Sequence, residues 1–177
     1  MVYYIEDEIK RLNRLIEDFL AFARPARPSF RPVNLNALLK EIVIRFEMQE
    51  DQSPVTIESH IPIEPFTTYA DPDLITRAIS NILRNALEAN GGKGVVRVTV
   101  FCGNLAWKVD IEDQGEGIDL DKLEKIFEPF YTTRSKGTGL GLAYVFQVIM
   151  AHSGNVWAEN RKNGGAIFSI ELPVRKI

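Results

Sequence analysis

The chain has one cysteine, Cys102, among 177 residues. An intrachain disulfide is therefore excluded, and so is a cysteine-rich zinc site, because both need several thiols. Cys102 lies in an apolar stretch and reads as a small buried hydrophobe. Histidine is nearly as scarce, with only His60 and His152. No apolar run approaches the ~18 residues that suggest a membrane span, and no leader-type segment opens the sequence. Positive charge is not in excess: 21 Lys and Arg against 24 Asp and Glu give a formal net charge of −3. Polyelectrolyte binding to nucleic acid is not expected, because such surfaces are usually basic. These absences predict a soluble domain of a reducing compartment, with a membrane anchor elsewhere in a longer parent left open.

The composition, 45% hydrophobic and 25% charged, suits one domain of roughly 100–200 residues with an appendage. Such a length can bury a core without disulfides or structural metal. The appendage is residues 4–23, where Ile5, Ile9, Leu12, Ile16, Phe19 and Ala23 alternate spacings of four and three. That is a heptad seam on a helix, widened by Leu15, Leu20 and Phe22. Arg24-Pro25-Ala26-Arg27-Pro28 ends it, since proline lacks a donor and turns its predecessor away from helix. A stripe this broad needs partner helices. A second copy of the chain is the expected source, and packing on the chain's own domain is the alternative.

The expected division is a bundle helix over 1–24, a linker over 25–33 and a globular domain over 34–177. In the domain, Asn34 caps a helix to about residue 50, with Leu35, Leu38, Leu39, Ile42 and Phe46 inward. Strands are expected over 55–61 and 66–70. Asp71 caps a long helix to residue 89, with Pro72 in its first turn, and Gly91-Gly92-Lys93-Gly94 breaks it. Residues 95–102 and 105–112 form a hairpin around Gly103-Asn104. An irregular stretch covers 113–138, a helix 139–152, and strands 155–160 and 166–172. Strands interleaved with helices, but paired mostly as hairpins, predict an α/β two-layer sandwich of a mixed sheet and helices.

Four stretches carry chemistry. Asn81-Ile82-Leu83-Arg84-Asn85 puts two carboxamides four apart on one helix face, at the edge of a buried stripe of Ile75, Ile79, Ile82 and Ala86. The Asn85 carbonyl oxygen is a suitable hard ligand for Mg²⁺ where phosphates supply the charge. Asp113-Gln114-Gly115-Glu116-Gly117 places a carboxylate at a strand end among glycines that allow close backbone approach. Such a carboxylate can accept from an exocyclic amine and a water. Ile126-Phe127-Glu128-Pro129-Phe130-Tyr131-Thr132-Thr133-Arg134 brackets a proline with aromatics and can pin a mobile lid. Lys136-Gly137-Thr138-Gly139-Leu140-Gly141-Leu142 opens a helix whose free N–H groups suit an anion. It is neither a P-loop nor a dinucleotide fingerprint. Singly, each stretch reads equally well as ordinary surface, turn, satellite cluster or helix start.

In this order the four stretches resemble the N, G1, F and G2 boxes of the histidine-kinase catalytic domain, a member of the ATPase superfamily shared with gyrase, Hsp90 and MutL. Asp113 follows Asn85 by 28 positions and Gly139 follows Asp113 by 26, which suits that pattern. Gly164-Gly165-Ala166-Ile167-Phe168-Ser169-Ile170-Glu171-Leu172-Pro173 resembles the family's closing strand. Residues 12–25 resemble the second helix of the kinase dimerisation domain. The resemblance implies the Bergerat-type ATP-binding fold, preceded by one bundle helix.

It implies roles as well. Asn85 would coordinate Mg²⁺, and Asn81 would bond a phosphate or water nearby. Asp113 would bind the adenine amino group, with Gly115, Gly117 and Ile118 shaping that pocket and Glu88 and Ala89 at its rim. Residues 127–136 would form the ATP lid, with Thr133, Arg134 and Lys136 near the phosphates. Gly137, Thr138, Gly139, Leu140, Gly141 and Leu142 would hold the phosphate tail. Asn81, Asn85 and Lys136 would be the catalytic set, with ATP and Mg²⁺ as cofactors. One departure is Ala166, which stands where many relatives carry a small hydroxyl residue supporting the adenine-binding carboxylate.

The hydrolytic relatives carry a water-activating glutamate at the position of Asn81, and asparagine cannot serve as a general base at neutral pH. Phosphoryl transfer to a supplied acceptor, with slow hydrolysis, is therefore expected over a gyrase- or Hsp90-type clamp. An anti-sigma-like serine kinase is disfavoured by the N-terminal helix, and a degenerate, non-enzymatic module by the intact boxes. His60 falls in a strand-like stretch. His152 ends a helix, where a cation suits the dipole. Neither has the surroundings of a phosphoacceptor. The expected partners are a first dimerisation helix carrying the acceptor histidine, a response regulator, and a second copy in the full-length protein. The expected location is the cytoplasm, free or as part of a membrane-bound receptor.

Overall fold

The computed structural model describes residues 27–49, 55–133 and 137–175, together with 9, 12, 16, 19, 20, 22 and 23. Those N-terminal positions are helical; the rest of the helix expected over 4–23 lies outside the described residues. Ile9, Leu12, Ile16, Phe19 and Leu20 are each about half exposed, so these positions of the seam find little cover among the described residues.

The elements run β1 (Arg31–Asn34), α1 (Leu35–Gln49), β2 (Val55–His60), β3 (Thr67–Ala70), α2 (Pro72–Ala89), β4 (Gly94–Cys102) and β5 (Ala106–Glu112). Two short 3-10 turns (Leu120–Lys122 and Lys125–Phe127), α3 (Gly141–Ala151), β6 (Asn155–Asn160) and β7 (Ala166–Pro173) complete them. Five strands form one mixed sheet in the order β2-β4-β5-β7-β6, while β1 and β3 make a separate antiparallel pair. The expected hairpins are present, but β2 joins β4 in parallel, from Val55 beside Gly94 to His60 beside Thr99. The connection between these two strands contains α2, as a parallel pairing requires a long crossover.

Alternation along β4, β5 and β7 decides which face is covered. Val96, Val98, Trp107, Val109, Ile111 and Ile170 are buried and cluster with residues of all three helices. The residues between them carry charge. Arg97 pairs with Glu58 at 3.2 Å and with Glu112 at 3.8 Å, and Arg161 pairs with Glu112 at 3.2 Å. The result is two layers, with helices on one face and a polar lattice on the other. Helix α2 supplies much of the core through Ile75, Ala78, Ile79, Ile82, Leu83 and Ala86. Each fully buried isoleucine or leucine is worth about 1.5–3 kcal/mol.

Three expectations need correcting. Residues 31–34 are a strand, so the end of the expected linker is part of the folded unit. The pairing of Arg31–Asn34 with β3 depends on residues 33 to 39 positions away in sequence, Asn34 beside Thr67 at one end and Arg31 beside Ala70 at the other, and no local pattern reveals it. Helix α3 begins at Gly141, two residues later than expected, because Gly139 has φ +67°. Cys102 is exposed, not buried. It is the last residue of β4, and although its Sγ lies 3.6 Å from the amide nitrogen of Asn36 on α1, its place at the strand end leaves it open to solvent.

Asn36 is the polar residue that α1 buries. Its Oδ1 accepts the Trp107 indole N–H at 2.8 Å, and its Nδ2 donates to the Glu64 carbonyl at 2.7 Å. Trp107 is completely buried in the middle of the sheet, and a buried indole N–H without a partner costs about 1–3 kcal/mol. Asn36→Leu is therefore expected to lower the unfolding free energy by an amount in that range, read as a lower urea midpoint at an unchanged m-value, whereas Trp107→Phe in the Asn36→Leu background recovers part of the loss. Equal stability of Asn36→Leu and the parent would contradict the bond's role.

Candidate functional site

The site is built along one side of α2. The carboxylate of Asp71 caps this helix, its Oδ1 accepting from the N–H groups of Asp73 and Leu74 at 3.0 and 3.1 Å. Asn90 follows its last turn, and Gly91 and Gly92 reverse the chain at φ +60° and +81°. Asn81, Asn85 and Ala89 are spaced by four and share a face, spanning about 12 Å of helix axis. That is the scale of an extended nucleoside triphosphate.

Both glycine-rich stretches reach this face. A methyl group on Gly141, the first residue of α3, would sit 3.6 Å from the Asn81 Oδ1. At the other end, a methyl on Gly115 would meet the Ala89 carbonyl at 2.6 Å. Asn81 is buried and Asn85 half-buried. Glu88 is exposed, and Ala89 half-buried beside Gly115. The helix thus carries the start of α3 against Asn81 and the Asp113 turn against Ala89.

Asp113 is 2% exposed, at the end of β5. Its Oδ1 accepts two backbone N–H groups, from Gly115 at 2.9 Å and Ala166 at 3.1 Å, while its own N–H donates to the Ala166 carbonyl. The departure at position 166 therefore has a structural answer. Main-chain N–H groups hold the carboxylate where a side-chain hydroxyl is absent. Oδ2 accepts no bond from the described residues. Gly165 makes this approach possible: at φ +85°, its added methyl would lie 2.1 Å from the Asp113 carbonyl.

Three residues around this turn were not legible as site residues. Arg161 donates from Nη1 to the Asp113 carbonyl at 2.8 Å while pairing with Glu112. Asn160 grips Ile118 from both sides, accepting its N–H at 2.8 Å and donating to its carbonyl at 2.6 Å. Asn90 accepts the Gln114 N–H at 2.7 Å. Asn160 and Arg161 sit just before Gly164-Gly165, so the hairpin was a usable cue, but their partners are 42 and 48 residues away. Gly117 faces Asn160 at φ +83°, and Ile118 is half-buried beside it.

The lid stretch is anchored at its base. Phe130 donates its N–H to the Gly139 carbonyl at 2.9 Å, and a methyl on Gly139 would strike the Phe130 backbone at 2.4 Å. Phe130 itself has φ +66°, a conformation that costs a non-glycine residue about 1–3 kcal/mol. Its exposed ring meets Phe22 of the N-terminal helix edge-on at 6.3 Å. Thr138 Oγ1 accepts the Leu140 N–H at 3.1 Å, capping the approach to α3. Leu140 is buried, and Leu142 half-buried. Thr133 and Gly137 are exposed; Arg134 and Lys136 lie outside the described residues. A groove of about 550 Å³, lined by Phe22, Phe127, Pro129, Phe146 and Trp157 among others, meets the candidate site only at the start of the lid stretch, through Phe127, Glu128 and Pro129.

The histidines differ from expectation in one respect. His60 is exposed at the end of β2. His152 is 2% exposed and is not a helix-end cation. Its Nδ1 lies 2.7 Å from the Val148 carbonyl, and its Nε2 accepts the Asp71 N–H at 2.9 Å. One nitrogen must donate and the other accept, which is the neutral tautomer.

Among the described residues no three His, Cys, Asp or Glu side chains converge on a possible metal. The oxygens that α2 offers at this face are carboxamides, which suits a magnesium ion whose charge is balanced by phosphates and not by the protein. No helix among the described residues is long and apolar enough to cross a membrane.

Residues 70–176 match the family described as histidine kinase-, DNA gyrase B-, and HSP90-like ATPase. The signal transduction histidine-protein kinase AtoS of Escherichia coli (strain K12) is 36% identical over 168 residues. The match covers 94% of this chain but only 28% of AtoS. The crystallised catalytic domain of histidine kinase ThkA is 33% identical with a TM-score of 0.75, over 83% of this chain and 97% of that domain. ThkA in complex with the response regulator protein TrrA is 29% identical with a TM-score of 0.80, over 96% of this chain and 49% of that one.

Gly165→Ala is expected to destabilise the domain by about 1–3 kcal/mol, because the new methyl collides with the Asp113 carbonyl in a backbone region closed to alanine. Thermal melting measures it; an unchanged Tm would mean that the turn does not hold Asp113.

Proposed function

Because the chain belongs to the histidine kinase-, DNA gyrase B- and HSP90-like ATPase family, as the ATP-binding catalytic domain of a two-component sensor histidine kinase, we propose that it donates the γ-phosphoryl group of Mg-ATP to a histidine outside these residues. The carrying observation is Asn81. It sits buried against the start of α3, where the resemblance expects the phosphates, and it cannot take a proton from water at neutral pH. Catalysis then rests on positioning and charge neutralisation, as is general for phosphoryl transfer.

The remaining roles follow from chemistry. Asp113 presents Oδ2 to the adenine amino group while Oδ1 stays fixed by two N–H groups. Gly115, Gly117 and Ile118 line that end. Asn85 is the protein's ligand to Mg²⁺, which when bound would offset phosphate charge. Glycines 137, 139 and 141, with Thr138, Leu140 and Leu142, cradle the phosphates at the start of α3, and the resemblance adds Thr133, Arg134 and Lys136 as further phosphate contacts. His60 and His152 are not the acceptor: the second has both nitrogens committed inside the fold. The half-exposed seam of Ile9, Leu12, Ile16 and Phe19 supports a helical bundle with a second copy. The ThkA complex supports a response regulator as the downstream partner. Use of ATP favours a cytoplasmic location.

Three measurements test this reading. With labelled ATP and a separate histidine-bearing dimerisation fragment, acid-labile phosphate should appear on the fragment. Label on this chain, or fast phosphate release without an acceptor, overturns the proposal. Asp113→Asn should keep thermal stability near that of the parent, because an asparagine Oδ1 can accept the same two N–H groups. It should weaken ATP binding at least tenfold, since an amide donor would then face the adenine amine. Asn85→Ala should abolish the Mg²⁺ dependence of ATP binding; normal Mg²⁺-dependent binding would remove its metal role.

A further inference from the structure

The residues just after the N-terminal helix are held at one spot, where both nucleotide-box helices also meet. Ser29 donates its N–H to Asp71 Oδ2 at 2.8 Å, while Asp71 Oδ1 caps α2. The Phe30 ring stands edge-on to the His152 imidazole at 5.3 Å, and the Arg175 guanidinium covers Phe30 at 4.6 Å. His152 itself follows the last turn of α3 and accepts the Asp71 N–H. Arg175 is fixed in turn by its N–H to Thr68 Oγ1 and its Nη2 to Ser153 Oγ. One buried imidazole therefore links the end of α3, the cap of α2 and the linker.

We propose that Ser29, Phe30, Asp71 and His152 form a protonation-sensitive latch, in which neutral His152 seats the linker on the ATP-binding unit and protonated His152 releases it. A second ring proton would point Nε2–H at the Asp71 N–H, replacing an acceptor with a donor. The Asp71 cap must then shift, and Ser29 loses the carboxylate that anchors it. The charged and titratable groups facing the imidazole are few. Asp71 on α2 favours the cation, and Arg175 after β7 opposes it. Arg77 on α2 and Tyr144 on α3 are engaged with each other, the guanidinium 5.0 Å from the ring.

Burial holds the His152 pKa below its ordinary value, Arg175 adds to that, and the Val148 carbonyl and Asp71 only partly offset it. Burial alone would raise the Asp71 pKa, but the N–H groups of Ser29, Leu74 and Asp73 outweigh it and keep the carboxylate ionised below its usual range. The sign follows from linkage. A histidine held neutral contributes its full stability above about pH 6.5 and loses it as pH falls below that value. Asp71 stays charged throughout this window, so the imidazole alone is the switch.

The test follows backbone amides of the 177-residue chain by NMR hydrogen exchange, from about pH 7.5 to about pH 5. After correction for intrinsic exchange, protection of the Ser29 N–H should fall along the His152 titration, by up to about tenfold per pH unit, while amides in the middle of β5 stay protected. His152→Gln can accept from Asp71 and donate to Val148 without titrating, so its Ser29 N–H should remain protected across the range. Ser29 protection that ignores the imidazole titration overturns the latch. So does the same acid loss in His152→Gln, or loss at Ser29 and β5 together. No nucleotide enters the measurement, so failure of the ATP reading would leave its outcome unchanged.

Discussion

A long helix laid across a sheet buries its apolar side only if the donors of its first turn are satisfied. For α2 that condition falls on Asp71, whose carboxylate receives Asp73, Leu74 and Ser29. Everything functional hangs from this helix. Its buried stripe fixes the rotation that leaves Asn81 and Asn85 together on one side. Its length sets the separation between the start of α3, packed at Asn81, and the Asp113 turn, packed at Ala89. Loss of the cap would move both ends of the site at once.

Backbone groups, more than side chains, build the end of the site where we propose that adenine binds. The Asp113 carboxylate is gripped by the N–H groups of Gly115 and Ala166, and Arg161 holds the carbonyl of the same residue. A carboxylate fixed by main-chain donors is oriented without needing a particular neighbour, which explains why alanine is acceptable at position 166. The cost is steric. Gly165 and Gly115 must lack side chains so that three segments can close within van der Waals reach of one another. The end proposed for the phosphates uses the same device, with the Gly139 backbone against Phe130.

Much of the fold was legible because the signals are local. Asp71-Pro72 announced a helix start, Gly91-Gly92 its end, and Gly103-Asn104 a hairpin, and each acts through its own backbone dihedrals or nearest N–H groups. The order of the four boxes was legible for the same reason. Strand β1 was not, because Arg31–Asn34 becomes a strand only by pairing with β3. The exposure of Cys102 was not legible either, because its apolar neighbours do not show that the strand ends there. Asn160 and Arg161 had only the neighbouring Gly164-Gly165 hairpin as a cue, because their contact with the Asp113 turn closes only when β7 pairs with β5.

By itself, then, the amino-acid order determined which residue types could meet a nucleotide: neutral carboxamides in place of a glutamate at position 81, one carboxylate among glycines, and a glycine-led helix start. Chemistry of that kind is a property of side chains and short backbone spans. Tertiary structure decided what those groups experience. It held Asp113 by main-chain donors and made His152, at a helix end where a cation would suit the dipole, a buried neutral base joining the linker to two helices. Protonation state and orientation depend on desolvation and on partners distant in sequence, and these exist only once the chain has folded.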